Sequence, residues 1–274
     1  MQKVSIAGKG GTGKSVLTTL LAKVLKEMNY QVLIVDSDES NPGLYRMLGF
    51  HHAPSDLIDL FGGPKRVMDL TNKMDVPTQA LGKEKIYLQD IPDRYLAATD
   101  SLKLASVGKI TGAFEGCACP MAEVLNTFLR CLFLREREIV LVDMEAGVEH
   151  FGRGVEKHID ALLILVEPSF ESIALASKIN LLAQASGVQV IGAVINKVPS
   201  PAIGHKVHEE LDKRNIKVFG LVPFDEHIAQ TSLEGKVLEG GQLKETIRGI
   251  ARVLLGESPV PSSSDQGKER EDCR

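Results

Sequence analysis

Residues 8–15 read Gly-Lys-Gly-Gly-Thr-Gly-Lys-Ser, and they separate two apolar stretches of different periodicity. The run at residues 3–7 predicts a buried strand, and residues 15–28 have the apolar spacing of a helix. Glycines in such a turn allow backbone N–H groups to face a phosphate, and the helix N-terminus adds the positive end of its dipole. The stretch therefore predicts a phosphate-binding loop, or P-loop, between the first strand and the first helix.

The same loop carries side chains suited to a nucleoside triphosphate and magnesium. Lys14 is placed to reach the β- and γ-phosphates, and the Ser15 hydroxyl is placed to bind Mg²⁺. The predicted nucleotide-binding residues of this stretch are Gly8, Lys9, Gly10, Gly11, Thr12, Gly13, Lys14, Ser15 and Val16. A glycine-rich turn of chance composition is the alternative, but it would not require a strand before it and a helix after it.

Composition limits the class of protein. The 274 residues are 43% hydrophobic, enough for one large α/β domain with a full core. The formal net charge of −4 argues against partners such as nucleic acid or an anionic membrane. No signal peptide precedes the first strand, and no apolar run reaches the roughly 20 residues of a membrane span. We therefore expect a cytoplasmic protein whose four cysteines are reduced.

Strands and helices alternate along the chain. Apolar runs predict strands at residues 3–7, 31–36, 102–107, 138–143, 161–166, 188–195 and 217–222. Helices are predicted at residues 15–28, 56–63, 121–134, 169–185, 201–213 and 241–255, and residues 65–98 suggest small helices and a short hairpin. The alternation predicts an α/β fold in which a largely parallel sheet is flanked by helices on both faces. We expect one domain over residues 1–256 and a disordered tail, rich in Pro, Ser and charge, at 257–274.

Carboxylates end two of the predicted strands. Asp143 follows an apolar run and precedes Gly147, an arrangement typical of a Walker-B segment that places a carboxylate near Mg²⁺. Asp36 ends the second strand and Asp38 lies in the loop after it, where a carboxylate could position the attacking water. The residue pattern alone leaves the choice between Asp36 and Asp38 open.

Two later strand ends carry candidates for contact with the nucleotide base. Asn196 and Lys197 end the strand predicted from residue 188, and the Asn196 amide could read a purine edge. Pro223 and Asp225 follow the next strand and could also contact the base. Ordinary turn chemistry is the alternative for Asn196, Pro223 and Asp225.

Cys117 and Cys119 are separated by one residue. Two thiolates so close together can bind one soft ion such as Zn²⁺ or Ni²⁺, but a closed zinc site requires four ligands. A symmetric dimer would double the pair to a Cys₄ site on the two-fold axis. Two incidental buried cysteines are the alternative.

Lys9 lies inside the P-loop, and the pattern Lys-Gly-Gly-x-x-Gly-Lys-Ser resembles the deviant Walker A motif of the MinD/ParA/nitrogenase-iron-protein class. The resemblance implies an ATPase that hydrolyses ATP to ADP and dimerises when ATP is bound. It also implies that Lys9 reaches the phosphates of the partner chain, and that Lys9, Lys14 and Asp38 are the catalytic residues. Asp143 would then bind Mg²⁺ together with Ser15.

Within this class, residues 8–15, 116–120, 142–150 and 233–236 resemble the CooC-type nickel-insertion accessory ATPases of carbon monoxide dehydrogenase and acetyl-CoA synthase. The resemblance implies an ATP-hydrolysing metallochaperone that acts as a homodimer. Cys117 and Cys119 would bind Ni²⁺ or Zn²⁺ across that dimer, and the client would be a nickel enzyme such as carbon monoxide dehydrogenase.

Two other functions occur in the class. An iron–sulfur electron-transfer ATPase like the nitrogenase iron protein has a second cysteine shortly after the Walker-B aspartate, where this chain has His150 instead. A MinD-like positioning ATPase needs an amphipathic C-terminal helix, which Pro259 and Pro261 prevent. A ParA-like ATPase needs a basic DNA-facing surface, which the net charge does not favour.

Overall fold

The computed structural model describes residues 2–38, 43–63, 66–67, 85–108, 119–148 and 154–257, with the side chains of Cys119 and Glu156 left out. Within these ranges eight strands form one sheet in the order β3-β4-β2-β5-β1-β6-β7-β8. The strands are β1 Lys3–Gly8, β2 Gln31–Asp36, β3 Ala97–Thr99, β4 Leu102–Ser106, β5 Glu138–Asp143, β6 Ala161–Val166, β7 Val190–Val198 and β8 Val218–Pro223. All neighbouring pairs are parallel except β3 with β4.

Eight α-helices accompany the sheet in the described part of the chain. They are α1 Lys14–Glu27, α2 Leu44–Leu48, α3 Leu57–Leu60, α4 Cys119–Cys131, α5 Phe170–Ala185, α6 Pro201–Asp212, α7 Glu226–Leu233 and α8 Lys244–Leu255. Shorter 3₁₀ turns occur at Leu88–Asp90, Asp93–Tyr95, Val155–His158 and Gly241–Leu243. None of these helices is long and apolar enough to cross a membrane.

The core lies on both faces of the sheet. The central strands are apolar at nearly every position, and all six residues of β6 are buried, as expected for parallel strands covered on both sides. One cluster of buried residues packs β-strand side chains against α4 and α5, and a second packs the opposite side chains against α1 and α8. The predicted α/β fold, a largely parallel sheet with helices on both faces, is confirmed.

Strand β7 has a polar end, as predicted from the sequence. It includes Asn196 and Lys197 and stops one residue later, at Val198. Pairing with β8 is irregular between Ile195 and Val198, and Lys197 has a left-handed backbone with φ 55°. This bulge lets two polar residues lie inside a strand, where they face the P-loop rather than the core.

Three elements were not predicted. Helix α7 has only eight residues, and α2 has only five, so neither shows enough periods to be recognised. Strand β3 forms a hairpin with β4, later in the chain than the hairpin suggested for residues 65–98. Of that segment, residues 68–84 lie outside the described residues, as do residues 258–274 of the predicted tail.

Parallel strands bring their carboxyl ends to one edge of the sheet. In the register, Asp36 at the end of β2 pairs with Asp143 at the end of β5, and Ser106 at the end of β4 pairs with Asp36. Strand β1 lies between β5 and β6 and ends at Gly8, where the P-loop begins. Polar residues distant in sequence therefore converge on this edge, the usual position of ligand sites in open α/β sheets.

A close approach between β7 and β8 gives a test of the packing. A Cβ on Gly192 would lie 2.5 Å from Cδ1 of the buried Phe219 ring. We expect Gly192→Ala to lower the free energy of unfolding by about 1–3 kcal/mol, because the core must shift to accommodate the methyl group. The measurement is urea denaturation followed by circular dichroism.

The matched control is Gly249→Ala in α8, where an added Cβ meets no atom of the described residues within 4 Å. This substitution should raise the free energy of unfolding by about 0.5–1 kcal/mol, because alanine favours a helix interior over glycine. Equal effects of the two substitutions would contradict the packing described for β7 and β8.

Candidate functional site

The loop at residues 8–13 has the backbone geometry of an anion cradle. Gly11 and Gly13 have φ values of 81° and 97°, in the left-handed region that glycine adopts without strain. Gly13 immediately precedes α1, so the N–H groups of the first helical turn are directed at the loop. The Thr12 hydroxyl donates to the Lys9 carbonyl at 2.8 Å and closes the loop on itself.

The strand β7 supports this loop from the side. Asn196 Nδ2 donates to the carbonyl of Thr12 at 2.8 Å, and Lys197 Nζ donates to the carbonyl of Gly11 at 2.6 Å. Both acceptors belong to the P-loop backbone, so the two side chains hold the loop in place. Lys197 was missed from the sequence, although a lysine beside Asn196 near a strand end is a signal that could have found it.

Lys14 is the buried cation of the site. Its residue is only 6% exposed, and its Nζ lies 3.5 Å from the carbonyl oxygen of Lys9. Burial lowers the pKa of Lys14, while the charges of Asp143, Asp38 and Glu145 act in the opposite direction. An ammonium group removed from water and turned toward the loop is suited to bind a phosphate.

Asp143 is a fully buried carboxylate at the end of β5. Burial raises its pKa to about 7, and a hydrogen bond from the Ser15 side chain opposes that change. Oδ1 accepts a 3.4 Å hydrogen bond from the Thr18 hydroxyl, and Oδ2 has no hydrogen-bond partner among the described residues. A hard divalent cation prefers oxygen ligands of this kind, so Ser15 and Asp143 fit a Mg²⁺ ion.

The two competing aspartates after β2 occupy different positions. Asp36 is buried, and its Oδ1 accepts the backbone N–H of Asp38 at 3.2 Å, which shapes the start of the loop. Asp38 lines the same cavity as Lys14 and Ser15. This placement is consistent with the choice of Asp38 for positioning water, although its catalytic role stays a prediction.

Lys14, Ser15 and Asp38 line one cavity of about 480 Å³. It runs from the P-loop to the end of β8 and includes Asn196, Pro223 and Asp225, the residues predicted to contact the base. Asp225 also caps α7, because its Oδ1 accepts the Ile228 N–H at 2.9 Å. Phe224 lines the cavity with a ring that is 52% exposed, and the sequence prediction had not included it.

Lys9 occupies a different environment from Lys14. Its Nζ lies 3.3 Å from Oε1 of Glu167, the residue that directly follows β6, and its side chain is 39% exposed. Glu167 was missed from the sequence because 158 residues separate it from Lys9. The P-loop therefore carries one lysine directed into the site and one held beside it by a carboxylate.

The predicted nickel or zinc ligands are not tested by the structure. Cys117 and His150 lie outside the described residues, and only the backbone of Cys119 is described, at the start of α4. In the described part of the chain, no group of three or more His, Cys, Asp or Glu side chains is arranged to hold a metal ion. Cys131 is buried in the core.

Together, the parallel sheet, the glycine-rich loop and the Lys14/Asp143 pair define a P-loop nucleotide-binding protein. The chain belongs to the CobQ/CobB/MinD/ParA nucleotide-binding domain family, whose model matches residues 4–238. It is an ATPase of this family, as predicted, and the family implies ATP and Mg²⁺ as its ligands.

The chain is also similar to individual proteins and to solved structures. The chain is 40% identical to an uncharacterized ATP-binding protein of Methanocaldococcus jannaschii, over 92% of this chain and 99% of the relative. It is 30% identical to the carbon monoxide dehydrogenase accessory protein CooC of Rhodospirillum rubrum, over 92% of this chain and 94% of the relative. Among solved structures, the MinD cell division protein of Aquifex aeolicus has a TM-score of 0.65 at 21% identity, covering 95% of this chain and 99% of that one. The likeness to MinD concerns the fold alone.

The raised pKa of Asp143 predicts how pH affects stability. Between its ordinary value of 3.8 and about 7, the folded protein keeps a proton on Asp143 that the unfolded chain loses. Stability of the nucleotide-free protein therefore falls as pH rises through this window, and the loss is complete above pH 7. Asp143→Asn removes the ionisation, so the variant should become more stable than wild type above pH 7, by a few kcal/mol at most, on the order of 1.4 kcal/mol per pH unit of the window.

Urea denaturation without nucleotide at pH 5, 6, 7 and 8 measures this effect. The stability gap between Asp143→Asn and wild type should widen from pH 5 to pH 7 and level off towards pH 8, once Asp143 is ionised in the folded protein as well. Asp100→Asn, in the turn between β3 and β4, controls for the change in net charge and should show no such trend. A constant gap across the four pH values would contradict the ionisation of a buried Asp143.

Proposed function

We propose that the protein is an ATP-hydrolysing metallochaperone that forms a homodimer and supplies nickel to an enzyme such as carbon monoxide dehydrogenase. The observation that carries the proposal is the 30% identity with the CooC accessory protein along 92% of this chain. The Cys-x-Cys pair at residues 117 and 119 adds ligands of the chemistry that such a carrier needs.

The ATP end of the proposed cycle uses the cavity beside the P-loop. Lys14 binds the β- and γ-phosphates, and Asp38 orients a water molecule for attack on the γ-phosphorus. The bond from that phosphorus to the β–γ bridging oxygen breaks, and ADP and phosphate are released. Mg²⁺, held by Ser15 and Asp143, would neutralise phosphate charge when bound.

Lys9 links the phosphate site to dimerisation in this proposal. In the single chain its ammonium group is paired with Glu167 at 3.3 Å. To reach the phosphates of a partner chain, Lys9 must leave Glu167, so bound ATP competes with this carboxylate for the lysine. ATP would thus favour the dimer by offering Lys9 a more highly charged partner.

The chain segment that carries the cysteine pair begins at the same edge of the sheet. Strand β4 runs parallel to β2 and ends at Ser106, level with Asp36. The chain leaves the sheet there and enters α4 at Cys119, so the cysteine pair belongs to a connection that starts beside the nucleotide loops. A Cys₄ site shared between two chains would favour the same dimer as ATP, and each ligand would then raise the affinity of the other.

The cysteine pair provides the main test. We expect wild type to bind one Ni²⁺ or Zn²⁺ per dimer, and Cys117→Ser with Cys119→Ser to bind none, because serine is a poor ligand for these soft ions. The measurement is metal analysis of protein separated by size-exclusion chromatography with light scattering. Binding of an ATP analogue should be retained, since the P-loop is unchanged.

Cys273→Ser is the matched control and should leave the metal stoichiometry unchanged. Unchanged metal content in the double variant would overturn the metallochaperone proposal. A brown protein absorbing near 400 nm after reconstitution with iron and sulfide would favour instead an iron–sulfur function, as in the nitrogenase iron protein.

The Lys9–Glu167 pair gives a separate prediction. Glu167→Gln keeps the shape of the side chain but removes its charge, so Lys9 should be released more easily. An exposed pair contributes about 0.2–1 kcal/mol, and two pairs must open in each dimer, so the dimer dissociation constant should fall about 2- to 30-fold. Sedimentation equilibrium with Mg²⁺ and a non-hydrolysable ATP analogue measures this change.

Two further variants complete the comparison. Lys9→Ala should abolish nucleotide-dependent dimerisation, whereas Glu171→Gln removes a similar charge four residues further on and should have little effect. Weaker dimerisation of Glu167→Gln would show that Glu167 supports the dimer rather than opposing it.

A further inference from the structure

A second cavity lies at the end of the sheet opposite to the P-loop. Its volume is about 350 Å³, and it is bounded by the start of β1, the chain after α4 and the segment before β6. Its acidic and basic lining residues are Lys3, Arg130, Lys157, His158 and Asp160. Because β1 and β6 are parallel, this cavity lies at their amino ends, far from the ATP site at their carboxyl ends.

The single carboxylate among the described lining residues is already bonded to the backbone. Asp160 Oδ2 accepts the N–H of Gln2 at 2.7 Å and the N–H of Lys3 at 3.0 Å. These contacts tie the first residues of the chain to the start of β6. The carboxylate still offsets part of the surrounding positive charge, because it raises the pKa of Lys3 against the effect of burial.

Positive charge exceeds negative charge among the described residues that line the cavity. Of the residues that the structure describes, no carboxylate lies within the 4.0 Å of an ion pair to Arg130 or Lys157. Burial lowers the pKa of His158, and the neighbouring charges of Lys3, Arg130 and Lys157 lower it further. Three cations from three different segments therefore act together on one imidazole.

Lys3 is held in place within this group. Its Nζ donates to the carbonyl of Leu129 in the last turn of α4 at 2.6 Å, and burial lowers its pKa. An ammonium group has three N–H donors, so this bond leaves donors for a ligand. The lysine is thus fixed before any ligand arrives, which lowers the entropic cost of binding.

We propose that this cavity is a second ligand site, which binds an oxyanion group, either phosphate or carboxylate, through Lys3, Arg130, Lys157 and His158. The ligand adds negative charge to a cavity in which Asp160 is the single carboxylate among the described lining residues. The source is either a free anion or the acidic side chains of a protein segment, and both present the same chemistry. This inference does not depend on the proposed metal transfer.

An aromatic surface lies next to the cavity and offers a bound ligand further contacts. Phe133 is 40% exposed, and its ring lies 6.5 Å from that of Tyr87. Lys85 Nζ lies 4.8 Å from the centre of the Phe133 ring, and the Arg135 guanidinium lies 5.2 Å from that of Tyr87. A bound acidic segment would therefore find further positive charge and an apolar surface beside the cavity.

Binding is tested on the full chain with Mg²⁺ and a saturating non-hydrolysable ATP analogue, so that the P-loop is occupied. The two probes are inorganic phosphate and a hexaglutamate peptide, measured by isothermal titration calorimetry. We expect one of them to bind to wild type and to bind at least tenfold more weakly to Arg130→Gln with Lys157→Gln. Both substituted residues are exposed, so the variant should fold.

The His158 imidazole resonances in the nuclear magnetic resonance spectrum provide a readout at the site. A bound anion should raise the pKa of His158, because it offsets the charges of Lys3, Arg130 and Lys157. Lys178→Gln with Lys206→Gln removes the same net charge from exposed helix positions and should bind the probes as wild type does.

Binding of phosphate alone would identify a free anion as the ligand, and binding of the peptide alone would identify an acidic protein segment. Either outcome supports the site if the Arg130→Gln/Lys157→Gln variant binds the same probe more weakly than wild type does. Failure of both probes to bind or to shift the His158 resonances would overturn the proposal. Equal binding by wild type and the Arg130/Lys157 variant would also overturn it.

Discussion

The desolvated charges of Lys14 and Asp143 are the constraint on which the phosphate site depends. Water is largely removed from both groups, so each favours its neutral form: the pKa of the lysine is lowered and that of the aspartate is raised to about 7. Such groups are costly in an empty protein. Phosphate oxygens near Lys14 and a cation near Asp143 would offset this cost, so the site is suited to bind a nucleotide with its metal ion.

The scaffold supplies the rigidity that this site requires. The P-loop leaves β1 between two parallel neighbours, and its carbonyls accept side-chain hydrogen bonds from Asn196 and Lys197 of β7. The N–H of Gly147, after β5, donates to the carbonyl of Gly8 at 3.3 Å. The P-loop is therefore hydrogen-bonded to β7 on one side of β1 and to the segment after β5 on the other. A shift of the loop on nucleotide binding would move the segment after Asp143 as well.

Structural elements and site residues that depend on neighbours in sequence could be predicted. Contacts between residues distant in sequence could not. The strand–loop–helix order around residues 8–15 and the apolar run before Asp143 were enough for the fold and the phosphate-binding groups. Glu167 and Lys197 were missed because their roles arise only when the ends of β6 and β7 meet the P-loop. The polar end of β7 was predicted, but the bulge that accommodates its polar residues was not, because it arises from pairing with β8.

The two ends of β1 place lysines in two different electrostatic environments. At its carboxyl end, Lys9 is half-exposed and satisfied by Glu167, a carboxylate that a more strongly charged ligand can displace. At its amino end, Lys3 is fixed by the Leu129 carbonyl, and the cations around it outnumber Asp160, the single carboxylate among the described lining residues. The first arrangement suits an exchange of partners, because a weak ion pair opens at little cost. The arrangement at the amino end suits the binding of an anionic ligand, because no existing ion pair among the described residues has to be broken.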